Sequence, residues 1–324
     1  MSGSIKHYGW SAINRFGSQV IGFVGNVLVA RELSPDDYGL VAMLAIFISV
    51  AWNFTESGFS DCLIRERDAD KKHFSTIFVY NFVVGIVIYI VMYCSAPYIA
   101  DFFKRVELIE ILRILGLSII FKACTLSEFT RMRKELMFKN TAIIQLSSSI
   151  SAVFIAYVMA LNDYGYWSLV GLTLSISIMN LIMIVIINKW KPSFVFCVKR
   201  YKSMRSFSVN MLLSYLTNQI GQNVYSLFIG KVHTAASLGF YSQGVKMNDA
   251  AFQGLNSVVL TTSYPILSKE SNKDKRKTMY KNLLNYFLFL HFNVSFFIIV
   301  CASPVISFLF GQKWLPTVPY LQLI

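Results

Sequence analysis

The residues of this chain that could do chemistry are charged and amide side chains set inside long apolar stretches. Two sets, each with members three or four residues apart, are Arg15, Gln19, Gly22 and Asn26, and Ser242, Lys246, Asp249 and Gln253. That spacing places each set on one face of a helix. An ionised side chain near the centre of a bilayer costs at least about 2.5 to 3.5 kcal/mol. We therefore expect these faces to line protein-walled cavities.

The candidates for substrate binding are polar residues of these faces and of neighbouring stretches. They are Arg15, Gln19, Asn26, Asn53, Lys122, Gln219, Gln222, Lys246 and Asp249. Two structural alternatives stay open. Arg15 lies one turn into its stretch and could instead snorkel to the headgroups. Lys246 and Asp249, three residues apart, could instead form an ion pair with each other.

The composition explains why these residues sit in apolar surroundings. Of the 324 residues, 55% are hydrophobic and only 15% are charged, whereas a soluble domain has about 25% charged residues. A membrane-spanning helix needs about 20 apolar residues. Nine such windows are present: 12–30, 39–60, 75–96, 111–130, 141–161, 166–187, 207–230, 238–260 and 280–302. A tenth begins near Pro319, so we predict an all-α polytopic membrane protein.

The net charge of +13 is explained by topology. Most of the 30 Lys and Arg residues lie in the loops after spans 2, 4, 6 and 8, and the alternate loops are poor in them. Basic residues of short loops stay on the cytoplasmic side, so the N-terminus and these four loops are predicted to be cytoplasmic. The basic runs are interpreted as solvated topogenic segments, and no nucleic-acid partner is expected.

Polar positions recur along the chain with an offset of 200 residues. The face of the first span corresponds to Tyr215, Gln219, Gln222 and Ser226. The recurrence predicts two parallel repeats of six helices. Their bounds would be a first lobe at 1–190, a basic cytoplasmic linker at 191–206 and a second lobe at 207–324. The second repeat would be incomplete, and we expect a C-terminally truncated product.

Motifs for catalysis or cofactor binding are missing from the sequence. It contains no GxxxxGK[ST], HExxH or GxSxG pattern, and the five cysteines are scattered without metal-ligand spacing. We therefore expect no enzyme activity, no catalytic residues, no metal and no cofactor. The coupling ion, a proton or a sodium ion, is left open.

Several segments resemble one transporter family. They are NVLVARELSPDDYGLVA at 26–42, ESGFSDCLIRERD at 56–68, LGFYSQGVKM at 238–247 and LFGQKWLPTVPYLQLI at 309–324. They are similar to bacterial polysaccharide and O-antigen flippases, the lipopolysaccharide-biosynthesis exporters of the multidrug/oligosaccharidyl-lipid/polysaccharide exporter superfamily. The resemblance implies twelve to fourteen helices in two lobes that form a V around a central cavity.

The resemblance also implies a function. The substrate would be an oligosaccharide on a polyprenyl diphosphate, moved by alternating access to the outer leaflet of the bacterial cytoplasmic membrane. Membrane lipid and the glycosyltransferases or polymerase of the pathway would be partners. In these terms Arg15 would bind the diphosphate, with Lys122 and Lys246 as further candidates. Two alternatives remain: a drug or metabolite cation antiporter of the same superfamily, and an inactive truncated fragment.

Overall fold

The computed structural model describes residues 2–66, 68–269 and 272–324, with side chains at 9–66, 68–252, 267, 272 and 274–324. Within these ranges the chain is helical, and no strand is present. The helices are α1 (Ser2–Glu32), α2 (Pro35–Glu56), α3 (Phe59–Arg65), α4 (Lys71–Phe103), α5 (Leu108–Lys134), α6 (Phe138–Leu161), α7 (Trp167–Asn188), α8 (Val198–Val232), α9 (Ala235–Lys269), α10 (Lys273–Phe310) and α11 (Thr317–Leu323). A 3-10 turn, Gln312–Trp314, precedes α11.

Each of the nine long helices of the described ranges overlaps one of the nine predicted windows, and most of the helices extend beyond their window. Five stretches are long and apolar enough to cross a membrane, and they correspond to α2 with α3, to α4, to α6, to α7 and to α10. The short helix α3 was not predicted as a separate element, whereas α11 lies where the tenth window was predicted to begin, near Pro319. The side chain of Gln253, part of the second predicted polar face, lies outside the described residues.

Local capping signals set the start of α2 in the turn that follows α1. The Ser34 hydroxyl accepts a hydrogen bond from the Asp37 amide at 3.2 Å, and the Asp37 carboxylate accepts one from the Ser34 amide at 3.0 Å. Pro35 occupies the first helical position, where its missing N–H costs nothing. This reciprocal arrangement is a capping box, and it fixes where α2 begins after the two-residue turn.

The chain divides into two compact units, Met1–Leu238 and Gly239–Ile324. In the first unit α1 packs on α6, α6 on α7, and α4 on α5, while α2 contacts α4, α5 and α8. Helix α8, which the repeat assigns to the second lobe, thus packs within the first unit. In the second unit α10 packs against α11. The predicted lobe bounds at 190 and 207 stay a prediction.

The segment after α7 is fixed to the side of α4. The Ser75 hydroxyl donates to the Ser193 carbonyl at 2.7 Å and accepts from the Val195 amide at 3.0 Å. The Cys197 amide donates to the Thr76 hydroxyl at 3.1 Å. Because α4 supplies the partners for these backbone groups, the predicted linker is held in place before α8 begins.

A close backbone contact joins α2 to the start of α9 within the first unit. Gly39, in the second turn of α2, lies so near Ala235 that a Cβ on Gly39 would overlap the Ala235 carbonyl. The turn between α4 and α5 lies close by in the fold, because Arg105 pairs with Asp36 at 2.5 Å. The close approach of α2 to Ala235 depends on glycine at position 39, because any side chain there would overlap the Ala235 carbonyl.

Substituting Gly39→Ala should lower the free energy of unfolding, because one of the two helices must shift, which typically costs about 1 to 3 kcal/mol. Gly22→Ala is the matched control, since a Cβ at Gly22 meets no atom within 4 Å. Thermal unfolding in detergent measures both. Equal stability of the two variants would contradict the close contact.

Candidate functional site: a cavity and a helix seam in the first unit

A cavity of about 390 Å³ lies among α2, α5, α6 and α7 of the first unit. Its lining includes Trp52 and Glu56, one turn apart on α2, and Lys122, Phe129 and Arg133 on α5. Helices α6 and α7 add the amides of Gln145 and Asn180 together with Thr173 and Ser177. Helical spacing therefore brings charged, aromatic and amide groups to one internal space.

Lys122 is the predicted site residue that this cavity contains. Its ammonium lies 4.4 Å from the centroid of the Trp52 ring, a cation–π contact. Glu56 and Arg133 lie on the same lining, and no ion pair within 4.0 Å involves any of these three charged groups in the described part of the chain. The cavity thus holds two cations and one carboxylate that do not neutralise one another by direct contact.

Helix α1 packs against α6 through a face that includes small residues. Gly17 and Gly25 admit the side chains of Leu146 and Val153. The Asn14 amide nitrogen donates to the Gln145 side-chain oxygen at 2.8 Å. The face of α1 that contacts α6 is therefore offset from the predicted face by about 100°, the rotation of one residue in a helix of 3.6 residues per turn.

The predicted polar face of α1 consequently has mixed surroundings. Arg15 is exposed and Gln19 is half-buried. Asn26 is half-buried, and its side-chain oxygen accepts a hydrogen bond from the Tyr38 hydroxyl at 3.2 Å. Asn26 therefore helps to join α1 to α2, and its role as a substrate ligand stays a prediction.

Polar contacts join α2 and α3 to α8 along a seam. The Asn53 amide nitrogen donates to the Gln219 side-chain oxygen at 3.4 Å, which brings two predicted site residues together. Nearer the start of α8 the Tyr215 hydroxyl donates to the Asp61 carboxylate. Gln222, three residues beyond Gln219, is exposed. The structure thus joins two predicted residues of this region and leaves the third apart.

The other predicted residues lie in the second unit. Lys246 and Asp249 are both exposed on α9. In the same unit the His291 ring is stacked on Phe252 with ring centroids 4.6 Å apart, and its centroid lies 4.2 Å from that of the Phe287 ring. Such packing favours a structural role for His291.

Trp52, Gln145 and Asn180 are cavity residues that the sequence did not single out. The amides carried a usable signal, since each interrupts an otherwise apolar span. Trp52 carried no such signal, because tryptophan is common in apolar spans. Its role becomes visible only from its contact with Lys122 in the structure.

Outside the predicted membrane spans, charged and polar side chains form a cluster at the start of α4. The Asp70 carboxylate pairs with Arg200 at 2.8 Å and accepts a hydrogen bond from the His73 amide at 3.1 Å. Desolvation by itself would raise the pKa of Asp70, but the hydrogen bonds with His73 and the charge of Arg200 outweigh it and hold the pKa below its usual value. Asp70 therefore favours its ionised form, which keeps the start of α8 attached to α4.

The polysaccharide biosynthesis protein family matches residues 28–319. The chain belongs to this family. The family resemblance predicted from the sequence is thereby confirmed.

Two relatives of this family member are longer than the chain. Teichuronic acid biosynthesis protein TuaB of Bacillus subtilis (strain 168) is 26% identical over 321 residues, which are 97% of this chain and 66% of TuaB. Succinoglycan biosynthesis transport protein ExoT of Rhizobium meliloti (strain 1021) is 22% identical over 320 residues, 98% of this chain and 65% of ExoT. The chain thus spans slightly less than two thirds of the length of these relatives.

A solved structure of another protein is similar in fold to this chain. Lipid II flippase MurJ in an inward closed conformation superposes with a TM-score of 0.75 at 17% identity, covering 96% of this chain and 71% of that chain. This likeness confirms the predicted all-α polytopic fold, and the chain is a multi-pass membrane protein. The number of helices per repeat stays a prediction.

Replacing Tyr215 with Phe should destabilise the seam of α2 and α3 with α8, because Asp61 of α3 loses a donor and hydrogen bonds to charged groups contribute about 1.5 to 3 kcal/mol. Tyr225→Phe is the control on the same helix, since Tyr225 is 67% exposed. Thermal unfolding in detergent compares the two variants. If Tyr215→Phe unfolds at the same temperature as Tyr225→Phe, the Tyr215–Asp61 contact does not support the seam.

Proposed function

We propose that this protein is a flippase that moves a polyprenyl-diphosphate-linked oligosaccharide across the bacterial cytoplasmic membrane by alternating access. The observation that carries the proposal is membership of the polysaccharide biosynthesis protein family over residues 28–319. The relative ExoT is named a succinoglycan biosynthesis transport protein, and this name supports transport as the activity. Glycan transport is therefore favoured over drug or metabolite antiport.

The chemistry of a glycan agrees with the polar groups inside the helical unit. A sugar hydroxyl that enters hydrocarbon without a partner costs several kcal/mol, so a flippase must offer hydrogen-bonding groups along the path. Asn53 and Gln219 supply amides at the α2–α8 seam, and Gln222 presents another on the exposed side of α8. Amides both donate and accept, which suits hydroxyl groups of varied orientation.

The diphosphate requires a cation, and Arg15 is the residue that we assign to it. Its guanidinium is exposed on α1, and the planar donor fork suits bidentate contact with phosphate oxygens. Lys122 is enclosed within the first unit beside Trp52, so its assignment to the diphosphate is weaker. Lys246, on α9 of the second unit, remains a further candidate.

The orientation and partners belong to the same proposal. The N-terminus and the basic loops would face the cytoplasm, where the lipid-linked oligosaccharide is assembled. Glycosyltransferases and a polymerase of the pathway would act before and after translocation. The lipid tail could remain in the bilayer while only the head group passes through the protein.

The proposal is tested by deleting the gene in its native host and locating the lipid-linked oligosaccharide. Accumulation in the inner leaflet with loss of surface glycan is expected, and re-expression should reverse both. Normal surface glycan after deletion would contradict the proposed function. Loss of drug resistance with normal glycan would favour the antiporter.

Arg15→Ala should reduce glycan export by about 10- to 100-fold, the loss expected for a charged hydrogen bond of about 1.5 to 3 kcal/mol. Arg205→Ala is the matched control, because Arg205 is an exposed arginine in the predicted cytoplasmic part of α8. Surface glycan per membrane-inserted protein is the measurement. Export by Arg15→Ala that equals export by Arg205→Ala would remove Arg15 from the binding site.

A further inference from the structure

We propose that the first-unit cavity binds one small anionic group, either the carboxylate of an acidic sugar or a free inorganic anion. The cavity is the 390 Å³ space among α2, α5, α6 and α7. That space is large enough for one sugar ring with water and too small for an oligosaccharide, since ligand pockets for drug-sized molecules measure about 300 to 1,000 Å³. This site is separate from Arg15, the residue assigned to the diphosphate.

The charge balance of the lining favours an anion. Lys122 and Arg133 contribute two positive charges and Glu56 contributes one negative charge. None of the three forms an ion pair within 4.0 Å in the described ranges. Lys122 is half-buried and Arg133 is exposed. Glu56 offsets part of the positive charge of the lining, and an anion beside Lys122 and Arg133 would balance the remainder.

The hydrogen-bond donors of the lining agree with this charge balance. The indole N–H of Trp52 is buried and has no acceptor among the described protein atoms. The Lys122 ammonium lies over the same ring at 4.4 Å. An anion near the edge of this ring could accept from both groups, so that one ligand atom or carboxylate would satisfy two donors.

The lining also contains hydrogen-bond acceptors, which suit a ligand that carries hydroxyl groups as well as a negative charge. The Thr173 and Ser177 hydroxyls donate to carbonyls within α7, at 3.2 Å and 3.1 Å, so their oxygens remain available as acceptors. The side-chain oxygen of Asn180 is buried and has no donor among the described protein atoms. An acidic sugar would use both the donors and the acceptors, whereas an inorganic anion would use the donors only.

The experiment is iodide quenching of Trp52 fluorescence in the purified protein at constant ionic strength. The Trp52 signal is the difference between the wild type and Trp52→Phe. We expect quenching that saturates with iodide concentration, and we expect Lys122→Met to weaken the apparent affinity by about tenfold or more, as loss of a charged hydrogen bond implies. Quenching that is linear and equal in the wild type and Lys122→Met would overturn the proposal.

A second variant should change the iodide affinity in the opposite direction, and it provides the test if Lys122→Met fails to fold. Glu56→Gln removes the one carboxylate of the lining and should tighten iodide binding. Unchanged or weaker binding in folded Glu56→Gln would overturn the proposal. Lys139→Met is the control, since the Lys139 ammonium lies 5.9 Å from the Trp10 ring and should not alter the Trp52 signal.

Competition with sugars distinguishes the two sources of the anion. Displacement of iodide by glucuronate, with no displacement by glucose, would identify an acidic sugar. Displacement by chloride alone would identify an inorganic anion, and either result supports the site. Equal displacement by glucose and glucuronate would overturn it, because the ligand would then be recognised without its charge. None of these outcomes depends on whether the protein transports glycans.

Discussion

The packing of the first unit depends on the cost of leaving a polar side chain of a membrane helix without a polar partner or an internal space. A backbone N–H or C=O finds its partner within the helix, but a charged or amide side chain needs a second helix or an internal space. In the first unit α2 meets this need on two sides. It presents Trp52 and Glu56 to the cavity beside α5, and it presents Asn53 to Gln219 of α8.

Close packing elsewhere in the first unit makes these contacts possible. Gly17 and Gly25 let α1 approach α6, and that approach brings Asn14 within hydrogen-bonding distance of Gln145. Gly39 brings α2 against the backbone at Ala235. Small residues thus act at positions where helix backbones approach one another, which is typical of helix pairs in membranes. The Asn14–Gln145 contact follows from the spacing that Gly17 and Gly25 permit.

Much of the fold could be predicted from the sequence, because hydrophobic length and loop charge are local properties. Each of the nine long helices of the described chain overlaps one predicted window, and the turn before α2 follows from Ser34, Pro35 and Asp37. The short helix α3 was missed, since its seven residues are too few for a periodic signal. The split at Leu238 was also not predicted, because it reflects the packing of α8 on α2.

The candidate site could be predicted only in part. Helical spacing predicts which residues share a face of a helix, but it does not predict which other helix packs against that face. Asn53 and Gln219 were predicted separately, and their contact depends on the seam between α2 and α8. Lys122 was predicted as a polar residue in the membrane, but its contact with Trp52 joins residues 70 positions apart in the sequence. On α1 the predicted face and the packed face differ by one position, a difference that the choice of partner helix decides.

The most direct test of the central claim is translocation by the purified protein in vesicles. A labelled polyprenyl-diphosphate oligosaccharide would be placed in both leaflets, and its accessibility to a membrane-impermeant reagent would be followed with time. Translocation by a flippase predicts that labelled lipid exchanges between leaflets faster in vesicles with the protein than in protein-free vesicles. Equal exchange in the two preparations, with the protein folded and inserted, would contradict the account.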